Sequence, residues 1–129
     1  MEPPQAHLVD LPGFGFAKVG KSVKKKWAGL LGDYLVSRSQ LKCILLLIDC
    51  RRDPEEEELW FSTCREDIPV YYALTKADKV SRTELQRRLK TIAGILSCDP
   101  ALVFITAAEG KKKQGIDRLR SELCGLLSR

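Results

Sequence analysis

Four short apolar runs alternate with four longer amphipathic stretches along this chain, and no other feature of the sequence restricts its fold as much. The runs cover residues 6–10, 43–49, 69–74 and 101–106 and are rich in the branched and aromatic side chains that suit buried strands. Three of them are continuously apolar rather than alternating, the pattern of strands covered on both faces. The intervening and final stretches, residues 22–37, 54–66, 81–96 and 115–127, carry helical spacing. In the third of these, Leu85, Leu89, Ile92 and Leu96 share one helical face, and Ser81-Arg82-Thr83-Glu84 reads as a capping-box entry. Glu55-Glu56-Glu57-Glu58 follows Pro54 in a first helical turn, where negative charge complements the helix dipole. That acidic run is therefore read as helix chemistry rather than as a metal site.

Strands alternating with helices imply an α/β fold: a mostly parallel sheet, right-handed crossovers and helices on both faces. Ligands of such sheets sit in the crevice beyond the carboxyl ends of the strands. The functional information is thus expected just after each strand, and 129 residues allow a single core.

After the first run comes Asp10-Leu11-Pro12-Gly13, after the third Thr75-Lys76-Ala77-Asp78, and after the fourth Thr106-Ala107-Ala108. In this order the segments resemble the last three nucleotide motifs of a GTPase: Asp-x-x-Gly, [Asn/Thr]-Lys-x-Asp and a short Ser-Ala-type loop. Each has a chemical reason. A carboxylate at Asp10 can reach magnesium through water, and Gly13 lets a backbone N–H approach the terminal phosphate. At Asp78 an acceptor-only carboxylate suits the two adjacent donors of the guanine edge, N1–H and the exocyclic amine, which adenine lacks there. The Lys76 stem can cover the flat face of the base.

The resemblance narrows further. The stretch from Leu8-Val9-Asp10-Leu11-Pro12-Gly13 through Phe14-Gly15-Phe16-Ala17-Lys18-Val19 is followed by Lys26-Trp27, Leu46-Leu47-Ile48-Asp49-Cys50-Arg51 and Leu74-Thr75-Lys76-Ala77-Asp78-Lys79. Together these closely resemble the EngB (YihA/YsxC) family of bacterial P-loop GTPases, over nearly the whole chain. The resemblance implies binding of GTP and GDP with Mg2+ by Asp10, Leu11, Pro12, Gly13, Thr75, Lys76, Ala77, Asp78, Thr106, Ala107 and Ala108, with Asp10 meeting the metal through water. It also implies a cytoplasmic role in large ribosomal subunit assembly, and in cell division and septation. Residues 1–129 would be a partial G domain beginning at the Asp-x-x-Gly strand, without the phosphate loop, the first helix or the switch threonine. The absent strand would lie between the runs at residues 6–10 and 43–49, leaving exposed edges and marginal stability.

Residues 15–22 also match the phosphate-loop pattern G-x-x-x-x-G-K-[ST] letter for letter. Two features oppose reading them that way. A working loop follows its strand directly, whereas Leu11-Pro12-Gly13-Phe14 intervene here, and Asp-x-x-Gly should come after the loop, whereas its only copy precedes it. The rival reading is a small P-loop ATPase with Ser22 and Asp49 on magnesium, which leaves both Asp10-Leu11-Pro12-Gly13 and Thr75-Lys76-Ala77-Asp78 unexplained. A third reading is a non-enzymatic ribosome-interaction module that keeps the basic faces without a nucleotide cycle.

The net charge of +5 is partly concentrated in Lys24-Lys25-Lys26 and Lys111-Lys112-Lys113, which suit either a solvated surface or a contact with ribosomal RNA. Five scattered cysteines without a C-x-x-C pair are expected to be reduced packing residues. His7, in an apolar stretch, reads as a hydrogen-bonded structural histidine. No apolar run approaches a membrane span and the first residues lack a secretory pattern, so a soluble intracellular chain is expected.

Overall fold

The computed structural model describes residues 5–11, 21–107 and 115–128, with the backbone alone for residues 21–28. Among these, helix α1 (Lys21–Ser37), strand β1 (Ile44–Asp49), helix α2 (Glu56–Thr63), strand β2 (Val70–Thr75), helix α3 (Arg82–Leu96), strand β3 (Val103–Ile105) and helix α4 (Ile116–Leu127) follow one another. Single 3-10 turns stand at Ala77–Lys79 and Pro100–Leu102. The strands pair in parallel, in the order β1-β2-β3. Their register sets Asp49 opposite Thr75 and Leu74 opposite Ile105, so the carboxyl ends of all three strands are level.

Strand alternation sorts the side chains onto two faces. Ile44, Leu46, Ile48, Val70, Tyr72, Leu74 and Val103 join one cluster with Leu35 of α1, Phe61 of α2, and Leu85, Ile92, Ala93 and Leu96 of α3. Leu74 and Ile92 are wholly buried there. On the opposite face the Tyr71 hydroxyl lies 3.3 Å from Glu122 Oε1 of α4, and the Arg118 guanidinium stands 5.2 Å from the centre of the Phe104 ring. Helices therefore cover both faces, as the continuously apolar strands require. Leu47, on the α4 face of β1, is nonetheless 66% exposed.

The helix ends follow local chemistry. Ser81 Oγ accepts the Glu84 N–H at 3.2 Å, while the Glu84 carboxylate turns to Arg87 instead of back to Ser81. At α2 the Glu58 carboxylate accepts the Glu55 N–H at 2.8 Å, and Glu56, Glu57 and Glu58 fill the first turn. The carboxyl end of α1 is closed from a distance: Arg65 Nη1 donates to Leu35 O at 3.1 Å and to Arg38 O at 2.7 Å. All five cysteines are free thiols, and Cys50 is fully buried.

The first apolar run departs from expectation. Residues 5–11 form no strand, and residues 5–10 are all exposed, Leu8 by 90%. An apolar run becomes a strand only where a neighbour offers a ladder of donors and acceptors. Among the described residues no strand pairs with this run; Leu11 alone packs against the core. His7 is exposed with its neighbours, not packed among them.

Gly115 fixes the entry to α4. Its φ of +72° lies in the left-handed region, and a Cβ there would stand 1.8 Å from the Ile105 carbonyl oxygen. Gly115→Ala is expected to lower the unfolding free energy by about 2 kcal/mol or more, from the left-handed penalty plus the clash. Urea denaturation checks this; an unchanged midpoint would contradict the close approach of Gly115 to β3.

Candidate functional site

Because the strand ends are level, three loops leave the sheet side by side, and backbone bonds tie each to the next. The Cys50 N–H donates to Thr75 O at 3.1 Å, and the Ala77 N–H donates to Thr106 O at 3.3 Å. Thr106 closes the other end by donating its N–H to Leu74 O at 2.8 Å and its hydroxyl to the same oxygen at 3.1 Å. The loop carrying Thr75, Lys76, Ala77 and Asp78 is thus held between the other two. Lys76 makes the corner: its φ of 60° is left-handed, and the chain turns there into the 3-10 turn over Ala77–Lys79. Ala77 is buried under this corner. Asp78 lies within this turn, its carboxylate 3.8 Å from Lys79 Nζ and 26% of its side chain open.

A second set of contacts braces the loop after β1. Arg51 Nε and Nη2 grip both oxygens of Asp49 at 3.0 and 2.8 Å, and the Arg51 N–H adds a bond to Oδ1 at 3.0 Å. Lys76 Nζ stands 3.5 Å from Asp49 Oδ2. From α3, Arg88 donates to Cys50 O at 2.8 Å and to Asp53 Oδ1 at 2.7 Å. The Cys50 thiol lies 3.5 Å from Lys76 O.

Among the predicted site residues, Thr75, Lys76, Ala77, Asp78, Thr106 and Ala107 lie together at the carboxyl end of the sheet. Asp10 and Leu11 end the described segment 5–11, with Asp10 exposed and Leu11 against the core. Pro12, Gly13 and Ala108 fall outside the described residues, as do residues 15–20 of the phosphate-loop match and Lys111-Lys112-Lys113. Lys21 and Ser22 begin α1. Asp49, the magnesium ligand of the ATPase reading, is already occupied by Arg51 and Lys76. Among the described residues no three His, Cys, Asp or Glu side chains converge as a metal site. Sequence reasoning assigned no role at the site to Arg51, Arg88 or Gly115. The spacing of Asp49 and Arg51, two residues apart, is the readable sign of a strand-end turn; Arg88 leaves no sign outside its helical period.

The Arg51 side chain, bonded to Asp49, holds that carboxyl well below the usual carboxylate range, with the Arg51 N–H and the charges of Arg51 and Lys76 acting in the same direction against burial. A depressed folded-state pKa contributes stability that is fully present above the unfolded value, about 3.9, and is lost as pH falls through the folded one. The unmutated chain is therefore expected to be more stable than Asp49→Asn at pH 6, with the gap closing as pH falls below 4. Urea midpoints measured from pH 6 to pH 2 test this, and a gap that does not change with pH would refute it.

No protein-family model matches the chain. Its sequence is 42% identical over 125 residues to the probable GTP-binding protein EngB of Desulforapulum autotrophicum, covering 94% of this chain and 62% of that protein. It is 40% identical over 112 residues to the protein of the same name from Geobacter sulfurreducens, covering 84% of this chain and 54% of the relative. A crystal structure described as a probable GTP-binding protein EngB shares the fold with a TM-score of 0.75 and 20% identity, over 92% of this chain and 75% of that one. These sequence matches identify the chain as a relative of the EngB GTP-binding proteins, spanning about three fifths of the length of the first of them.

Proposed function

We propose that residues 1–129 are a partial EngB-type G domain whose described core is the guanine-reading end of a GTP-binding site. The observation that carries this reading is the left-handed corner at Lys76. It is tied on one side to Cys50 and on the other to Thr106, with Asp78 in the turn that follows it beyond the sheet and its side chain partly open. In that position Asp78 accepts from guanine N1–H and the exocyclic amine, and the Lys76 stem lies over the base. Thr75 and Ala77 hold the corner, Thr106 and Ala107 stand beside it, and Ala108 is assigned to GTP binding with them. Asp10, Leu11, Pro12 and Gly13 serve the phosphate side, with Asp10 reaching Mg2+ through water.

Affinity follows from these contacts. Charged hydrogen bonds contribute about 1.5–3 kcal/mol each, so two from Asp78 reach at most ~6 kcal/mol. Micromolar binding requires about 8.2 kcal/mol before ordering costs. The edge contacts of Asp78 alone are thus too weak for micromolar binding, and on the reading of a partial G domain GTP and GDP bind this chain weakly, with hydrolysis, which rests on phosphate positioning and charge stabilisation, impaired as well. The wider role is that of the family: a cytoplasmic protein in large ribosomal subunit assembly, with effects on cell division and septation. The net charge of +5 supports a ribosomal RNA contact, and no helix among the described residues is long and apolar enough to cross a membrane.

Calorimetric titration with GDP and Mg2+ is expected to show binding weaker than micromolar that excess ADP does not compete away. Asp78→Ala abolishes it and Lys21→Ala leaves it intact. The reverse pattern, loss with Lys21→Ala and ADP competition, would establish residues 15–22 as a phosphate loop instead. Changing Lys24, Lys25 and Lys26 to Glu should weaken binding to large-subunit particles in a sedimentation assay; unchanged binding would remove the RNA contact from the reading.

A further inference from the structure

Lys76 is constrained at both ends. Its left-handed backbone, flanked by the bonds at Thr75 and Ala77, sets where the side chain leaves the loop, and its ammonium lies 3.5 Å from Asp49 Oδ2. Asp49 cannot follow a moving lysine, because Arg51 grips both of its oxygens and the Arg51 N–H holds Oδ1 a second time. Those bonds already complete a strand-end turn and already neutralise the carboxylate. The turn has no local need of a third partner from the neighbouring strand, yet Asp49, with 18% of its side chain open, receives one in Lys76, which is 55% open.

The use of that third contact follows from the guanine reading, on which this step rests. A lysine stem covers a flat base only if it lies in one direction, and a four-carbon chain in solvent has many. We propose that Asp49, immobilised by Arg51, is a positioning residue that directs the Lys76 side chain across the base plane. The parallel register makes this arrangement available, because it sets Asp49 opposite Thr75, one residue before Lys76. The role is distinct from that of Asp78. Asp49 acts through the face of the ring, which guanine and hypoxanthine share, whereas Asp78 acts through the edge, where hypoxanthine lacks the exocyclic amine.

Amide and lysine side-chain NMR of the whole chain, titrated with GDP and separately with IDP, tests the assignment. Without nucleotide, Asp49→Asn should increase the mobility of the Lys76 methylenes while the amide dispersion stays that of a folded protein. With nucleotide, it should weaken GDP and IDP alike by about two- to five-fold, the range of a single exposed ion pair, and leave their ratio unchanged. In a Lys76→Met background, where no ammonium remains to be held, Asp49→Asn should have no further effect. Asp78→Asn should instead reduce the preference for GDP over IDP. If the unmutated chain shows no nucleotide response at Asp78, the guanine reading falls and this role falls with it. A response there that Asp49→Asn leaves unchanged, a Lys76 that stays ordered in that variant, or an equal loss in the Lys76→Met background overturns the positioning role alone.

Discussion

Two backbone hydrogen bonds, from the Cys50 N–H to Thr75 O and from the Ala77 N–H to Thr106 O, hold three otherwise separate loops at one end of the sheet. Both depend on the level parallel register, which brings Asp49, Thr75 and the residue after Ile105 out of the sheet together. The left-handed corner at Lys76 is stable only inside this arrangement, since a non-glycine residue takes that conformation at a cost that its surroundings must offset. The buried Cys50 and Ala77 seal the loops from below, and Arg88 fixes the first of them to α3. The position of Asp78 in the turn after this corner is therefore a consequence of strand register and core packing.

Much of this was legible because it is local or periodic. Leu85, Ile92 and Leu96 face the core as their spacing required, and Ser81 caps α3 as predicted. Glu58 bonds back to Glu55, in keeping with a helix role for the acidic run. Helix α2 stops at Thr63 instead of residue 66, just before Arg65 turns to Asp67 and to the end of α1. Strand β3 starts at Val103 because Asp99 Oδ1 caps the 3-10 turn over Pro100–Leu102, accepting the Ala101 N–H at 2.9 Å. What the sequence hid were contacts between residues distant in the chain: Arg88 with Cys50, Arg65 with Leu35, Lys76 with Asp49, and the approach of Gly115 to Ile105. None of these leaves a periodic trace, and each needs the sheet in place before its geometry exists. Residues 6–10 failed in the opposite direction. They were expected to form a strand and do not, because an apolar pattern makes a strand only where a neighbour offers a ladder, and no strand among the described residues does so.

The two sides of the proposed nucleotide site consequently differ in how firmly this chain builds them. The base side stands on buried residues, on parallel strands and on bonds that link all three loops. On the phosphate side Asp10 lies on an exposed segment outside the sheet, joined to the core through Leu11. Local stability follows buried contacts and protected hydrogen bonds, so the base side opens only with the core, whereas Asp10 must be ordered at the cost of binding energy. On the guanine reading, contacts to the base give selectivity, and contacts to the charge-rich phosphates give most of the strength. In the proposed site, then, recognition of guanine and tight binding of its nucleotides are separable properties, and the buried core beneath the three loops bears on the first of them.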